Sequence, residues 1–129
     1  MREALFDTTV FIDWWKGEAP AMRLVQQVMS RSITASYSPI SYLELFQFPE
    51  LSRREELAYR VLARCLEEAP VTLAIATAAG SHLQGLPRNQ RARLMADALI
   101  ASTALVRGEP ILSRNPDDMR RFYPNVQTY

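Results

Sequence analysis

The stretch Glu3-Ala-Leu-Phe-Asp7-Thr-Thr-Val-Phe-Ile-Asp13-Trp-Trp15 decides the fold. Ala4, Leu5 and Phe6 form an uninterrupted apolar run, which suits a short strand buried on both faces. The run stops at Asp7. Thr8 and Thr9 then offer caps for a helix through Val10, Phe11, Ile12, Trp14 and Trp15, and Gly17 ends that helix. Working outward, Met22, Val25, Val28 and Met29 recur at helical spacing after Pro20, and the β-leaning Ile33-Thr-Ala-Ser-Tyr37 follows. The order is β-α-α-β, in which a buried strand is followed by helices and then by a second strand.

The alternation continues to the end of the chain. Ser41 is expected to open a short helix through Leu45, and Ser52-Arg-Arg-Glu55 is a capping-box signature for a helix reaching about Glu68. Val71 is expected to begin a further short strand. Residues 73–84 are Ala-rich and helix-competent, Gly85 and Pro87 break the pattern, and a second helix runs from about Asn89 to Val106, closed by Gly108. Pro110-Ile-Leu-Ser113 reads as a buried strand, Asn115-Pro-Asp-Asp118 as the start of a short helix, and residues 125–129 as a last strand. Strands alternating with helices predict an α/β domain with a small, mostly parallel sheet covered by helices on both faces. No repeat, low-complexity run or linker divides residues 1–129, which read as one domain.

Composition narrows the function classes. At 129 residues, with 48% hydrophobic and 22% charged, the chain is of ordinary globular make-up and long enough to bury roughly two thirds of its unfolded surface without a staple. Its single Cys65 cannot build a disulfide framework and suggests a reducing, cytoplasmic setting. Asp7 and Asp13 interrupt the apolar start, which leaves neither a signal-peptide core nor a membrane span. Fifteen basic against fourteen acidic residues give a net charge of +1, too little to hold nucleic acid by bulk electrostatics. A local patch of arginines remains available, since Lys16 is the only lysine.

In open α/β sheets, ligand sites form beyond the carboxyl ends of the strands. Asp7, Glu44 and Asn115 all follow strand candidates. Each also has a plainer reading: Asp7 as a helix cap, Glu44 as the partner of Ser41 in a capping box, and Asn115 as a cap before Pro116. Asp97 lacks that alternative. At 100° per residue, Leu94, Ile100, Ala101 and Ala104 fall within about 60° of it, so a carboxylate sits on an apolar helix face. If Asp7, Glu44 and Asp97 met at about 5 Å with an effective dielectric near 20, each pair would repel by roughly 3 kcal/mol. A divalent cation relieves such repulsion, and an all-oxygen donor set selects Mg²⁺ or Mn²⁺. Zinc is disfavoured because Cys65 and His82 stand alone.

These residues resemble a known family. Leu5-Phe-Asp-Thr-Thr-Val-Phe-Ile-Asp13 is similar to the opening of PIN-domain ribonucleases, especially VapC-type toxins of toxin-antitoxin pairs. Ser38-Pro-Ile-Ser-Tyr-Leu-Glu-Leu45, Asp97-Ala-Leu-Ile-Ala-Ser-Thr-Ala-Leu105 and Ile111-Leu-Ser-Arg-Asn-Pro-Asp-Asp118 resemble the segments carrying the second, third and fourth site positions. The four matches follow family order across nearly the whole chain. The resemblance implies a PIN-like three-layer α/β/α fold in which Asp7, Glu44 and Asp97 are catalytic, metal-binding acids. Asn115 completes the polar ring, and Thr8, Ser113 and Asp118 support it. It further implies Mg²⁺ or Mn²⁺ as cofactor, an RNA substrate, a small VapB-like antitoxin partner and a homodimer. Arg88, Arg91, Arg93 and Arg114 are candidates to contact the RNA backbone. Thr9 stands where Asn is usual, which removes the residue expected to orient Asp7, and Asn115 stands where many relatives carry a carboxylate.

Two other readings compete. One is a catalytically silent PIN-like module that binds RNA or a protein partner. The other is phosphoryl transfer through an aspartyl-phosphate on Asp7, as in haloacid-dehalogenase-like phosphatases, which have a second Asp at the position held here by Thr9.

Overall fold

The computed structural model describes residues 2–129. The central β1 (Arg2–Phe6) is followed by α1 (Thr8–Trp15), α2 (Ala19–Met29) and β2 (Ile33–Tyr37). Then come α3 (Pro39–Phe46), α4 (Arg53–Arg64), β3 (Glu67–Glu68), α5 (Leu73–Gln84) and α6 (Arg88–Arg107). β4 (Ile111–Leu112), α7 (Pro116–Arg120) and β5 (Val126–Gln127) complete the chain. The strands form one sheet in the order β3-β2-β1-β4-β5, and every pairing is parallel. Register is set by Ala4 opposite Ala35 and by Phe6 opposite Leu112.

Side-chain alternation along the strands creates two cores. Ala4, Phe6, Ile33, Ala35, Tyr37 and Leu112 point to one face, where α1, α2 and α4 contribute Phe11, Leu24, Val25, Val28, Tyr59 and Leu62. Leu5 and Ile111 point to the other face, against Ala79 and Leu83 of α5 and Leu94, Ala98 and Ala101 of α6. Ala98, Ala101 and Ala104 of α6 are fully buried in this second core. A parallel sheet covered on both faces is the three-layer α/β/α arrangement expected. No helix among the described residues is long and apolar enough to cross a membrane.

Several local expectations are corrected. The buried stripe of α2 is Ala21, Leu24, Val25 and Val28, while Met29 is 68% exposed and Met22 is also exposed. The i, i+3, i+4, i+7 pattern starts one position earlier than the methionines suggest. Helix α3 begins at Pro39, capped by the Ser38 hydroxyl, which accepts from Ile40 N at 3.1 Å, so Ser41 lies inside the helix and forms no capping box with Glu44. Ser52 caps α4 as predicted, accepting from Glu55 N at 3.1 Å, but that helix stops at Arg64. Glu67 and Glu68 form edge strand β3, paired with Ser36 and Tyr37, and the strand expected at Val71 is absent. Gly108 closes α6 with φ 70°, a left-handed conformation that lets Glu109 N return to Ala104 O at 3.1 Å.

Candidate active site

Chain order reverses direction across the sheet at β1, which has β2 on one side and β4 on the other. The crevice beyond the carboxyl ends of β1 and β4 is therefore the topological switch point, where open α/β sheets bind ligands. A recess of about 220 Å³ opens there. Asp7 and Thr9 of the β1–α1 junction, Glu44 and Phe48 after β2, Asp97 of α6, and Asn115 and Asp118 of α7 all line it. The fold thus gathers Asp7, Glu44, Asp97, Asn115 and Asp118 from four separate segments. Thr8, Ile12, Gln47 and Met119 complete the wall, and Ile12, Gln47 and Met119 carry no sequence signal that marks them in advance.

Asp7 occupies the N-cap position of α1 without making a capping hydrogen bond. Its carboxylate instead faces two hydroxyls: Ser113 Oγ donates to Oδ2 at 2.7 Å and Thr9 Oγ1 donates to the same oxygen at 3.2 Å. Thr9 therefore supplies an orienting bond to Asp7 although it stands in place of the usual Asn. Thr8 and Thr9 lie inside α1 rather than capping it. Thr8 Oγ1 donates to Glu44 Oε1 at 2.7 Å and lies 3.0 Å from Ser41 Oγ, tying α1 to α3. Asn115 makes no side-chain cap bond at α7, and its backbone N–H donates to Ser113 Oγ at 3.0 Å. Asp7 and Asn115 thus do stand at the N-cap positions of α1 and α7, as the plainer reading has it, but neither side chain makes a cap hydrogen bond, and the capping box of Ser41 with Glu44 is absent because Ser38 caps α3.

The electrostatics of the recess are one-sided. Burial pushes the carboxyl of Asp7 above its ordinary range, opposed by the hydroxyls of Ser113 and Thr9 and by nearby backbone N–H groups. Glu44 is also raised, first by burial and then by the charge of Asp7, against the Thr8 bond. Asp97 is pushed up to about 6, by burial and then by the charges of Asp7, Glu44 and Asp118. Arg121, just after α7, pulls Asp97 the other way. It was not among the candidates, because nothing in sequence distance ties position 121 to 97.

The four candidate RNA contacts lie elsewhere. Arg88, Arg91 and Arg93 are exposed on the first turns of α6 and none lines the recess. Helical geometry puts Arg93 about 40° from Asp97 and one turn away, but Arg88 and Arg91 about 180° and 120° round the helix. Arg114 turns from the recess and pairs with buried Asp13. Of the other reactive side chains, Cys65 is exposed and His82 packs 5.7 Å from the Phe122 ring, both outside the recess. Tyr59 is 1% exposed and packs against Phe11. A larger recess of about 450 Å³ lies at the start of β2, lined by Val28, Ile33, Cys65 and Glu67, and offers a single carboxylate.

The PIN domain family model matches residues 4–123. The chain belongs to the PIN domain family. Among solved structures, a toxin-antitoxin complex from Klebsiella pneumoniae is similar with a TM-score of 0.72 at 23% identity, covering 97% of this chain and 96% of that chain. VapBC2 from Rickettsia felis, bound to a promoter DNA fragment, gives a TM-score of 0.73 at 15% identity with 98% of each chain covered. DNA-bound VapBC from Salmonella typhimurium gives 0.65 at 22% identity, covering 100% of this chain and 98% of that chain. These likenesses show that the fold is shared over nearly the whole length of the chain. No curated protein matches.

Whether a PIN-domain cation fits can be judged from the donors themselves. All are hard oxygens: three carboxylates raised in pKa, a fourth from Asp118 and the amide of Asn115. Among the described residues no three His, Cys, Asp or Glu side chains close into a ready-made cage. The all-oxygen donor set is of the kind that fits Mg²⁺ or Mn²⁺, since Mg²⁺ commonly takes one or two carboxylates and keeps water or substrate phosphate in its other positions.

Proposed function

We propose that this PIN domain is a Mg²⁺- or Mn²⁺-dependent ribonuclease that hydrolyses RNA phosphodiester bonds, acting as the toxin of a VapBC-type pair. One observation carries the reading: Asp7, Glu44, Asp97 and Asp118 share a single recess, and the first three are raised in pKa with no ion pair to an arginine or lysine among the described residues. Mutual repulsion among acids is a liability to folding unless a ligand relieves it. Asp7 and Asp97, with Glu44 beside them, would hold the cation, which supplies Lewis-acid polarisation of the phosphate and an activated water.

The chain's own groups do the positioning. Ser113 and Thr9 fix one oxygen of Asp7, and Thr8 holds Glu44 toward the recess. Asn115 presents a neutral amide at the rim, where a substrate phosphate meets less repulsion than a carboxylate would cause. Neither Cys65 nor His82 reaches the recess, so the reading needs no side-chain nucleophile. The three solved relatives are toxin-antitoxin complexes by description, two of them with DNA, which supports a small VapB-like antitoxin as partner. A homodimer belongs to the same proposal.

The test is cleavage of total RNA by the purified protein with Mg²⁺, Mn²⁺ or EDTA, alongside Asp7→Asn and Asp97→Asn. Metal-dependent cleavage lost in both variants supports the nuclease. Activity that survives EDTA, or survives both substitutions, would falsify it. A second reading, a silent module that binds RNA or protein, is favoured by the neutral Asn115 where the resemblance leads one to expect a carboxylate, and it requires RNA binding or partner binding with no cleavage under any metal.

A further inference from the structure

Asp13 is a second buried acid on α1, six residues beyond Asp7, and the recess does not use it. It is 3% exposed. Thr9 and Asp13 are four residues apart and share one face of the helix. That face meets a single residue of the β4–α7 loop at two points. The Arg114 backbone N–H donates to Thr9 Oγ1 at 3.0 Å, and the Arg114 guanidinium donates to Asp13 Oδ1. The other oxygen, Asp13 Oδ2, accepts from the Tyr129 hydroxyl at 2.6 Å. Each oxygen of a buried carboxylate is thus engaged by a directional donor, from positions 101 and 116 residues away in sequence.

Of the residues on either side of Arg114, buried Ser113 is bonded to Asp7 and Asn115 lines the recess. Ser113 Oγ donates to Asp7 Oδ2 and accepts from Asn115 N. A loop pinned at its middle residue by a backbone bond and a side-chain ion pair can neither slide along α1 nor rotate about its own axis. We propose that Asp13, Arg114 and Tyr129 form a clamp that positions Ser113 and Asn115 against Asp7. Arg114 is then a positioning residue and not a grip on substrate phosphate. The activity arm of this inference rests on the nuclease reading above; its structural arm does not.

The structural arm is amide hydrogen exchange of the full chain by NMR. Asp13→Asn and Tyr129→Phe are each expected to speed exchange at the Arg114 and Asn115 amides at least tenfold. The amides of Leu5 and Asp7, bonded to Pro110 O and Leu112 O, are expected to stay within twofold. Unchanged exchange at Arg114 and Asn115 in both variants overturns the clamp. Tyr129→Phe removes one hydroxyl and keeps the ring, so the arm reads out even if a harsher variant fails to fold.

The activity arm separates clamp from phosphate contact by the direction of two effects. The clamp predicts that Arg114→Ala and Asp13→Asn behave alike: kcat falls roughly ten- to a hundredfold, Mn²⁺ binding read by electron paramagnetic resonance weakens, and KM for RNA holds. A phosphate contact predicts a raised KM for Arg114→Ala with a salt slope about one unit shallower, unchanged Mn²⁺ binding, and tighter RNA binding when Asp13→Asn frees the guanidinium. That second pattern overturns the proposal. A wild type that cleaves no RNA sinks the nuclease reading alone, since hydrogen exchange still decides the clamp.

Discussion

Asp7 and Asp13 lie on the same helix, at its N-cap position and in its second turn, and both are almost fully buried, at 5% and 3% exposure. Asp13 is closed off by an arginine and a tyrosine. Asp7 receives hydroxyls, which orient a carboxylate without cancelling its charge, and its charged neighbours in the recess are Glu44 and Asp97. A third buried acid, Glu109, sorts with Asp13: it accepts from Ser36 Oγ at 2.7 Å and pairs with Arg107, which also reaches Glu67 at 3.1 Å. Burial alone therefore does not mark a functional acid in this protein. What sets Asp7 and its neighbours apart is burial beside like charge, with no ion pair to an arginine or lysine among the described residues.

The comparison makes its sharpest claim about activity. Asp7→Asn and Asp97→Asn are each expected to lower the initial rate of RNA cleavage by about a thousandfold, at the upper end of what loss of one charge-stabilising group costs, while thermal melts of the metal-free protein hold or rise. A large loss of stability in either variant would place Asp7 with Asp13 and break the distinction.

The opposite pattern is expected on the paired side. Arg107→Ala strands the Glu109 carboxylate in the core, and urea unfolding should show a loss of about 3 kcal/mol with activity per folded molecule unchanged.

Titration sharpens the contrast further. The Asp97 carboxyl keeps its proton to about pH 6 when folded but releases it near 3.8 when unfolded, so the folded state binds the extra proton in between. Its contribution is fully present below pH 3.8 and is lost as pH rises through about 6. Asp97→Asn should therefore stabilise the metal-free protein at pH 8 by about 1–2 kcal/mol, a figure reduced because the side chain is partly solvated, and by nothing at pH 3.5. Mg²⁺ should raise the melting temperature of wild type more at pH 8 than at pH 5.

The smallest effect expected is at Thr8. Thr8→Val leaves Glu44 without its 2.7 Å donor and should lower cleavage about tenfold, with stability changed by less than about 1 kcal/mol. An unchanged rate would show that Glu44 needs no holding.

Much of the site is legible along the chain because it is built from local signals. Asp7 ends an apolar run, Asp97 interrupts an apolar helix face, and Asn115 precedes Pro116 after a short buried strand. Local signals also mislead where the chemistry is ambiguous. Glu67 and Glu68 continue the charge pattern of α4, yet they close the sheet edge because β2 offers unpaired backbone there. Arg114 reads as a free cation until Asp13 is seen opposite it.

The amino-acid order by itself determines most of the succession of strands and helices, the third strand excepted, together with Asp7 at a strand end, Asp97 on an apolar helix face and their oxygen chemistry, since these follow from periodicity, caps and side-chain type. Which acids are neutralised is decided only by tertiary structure. Arg114 and Tyr129 reach Asp13 across 101 and 116 residues, and Ser36 reaches Glu109 across 73. Charge compensation depends on distance in space, and the all-parallel sheet fixes those distances through its strand order and register.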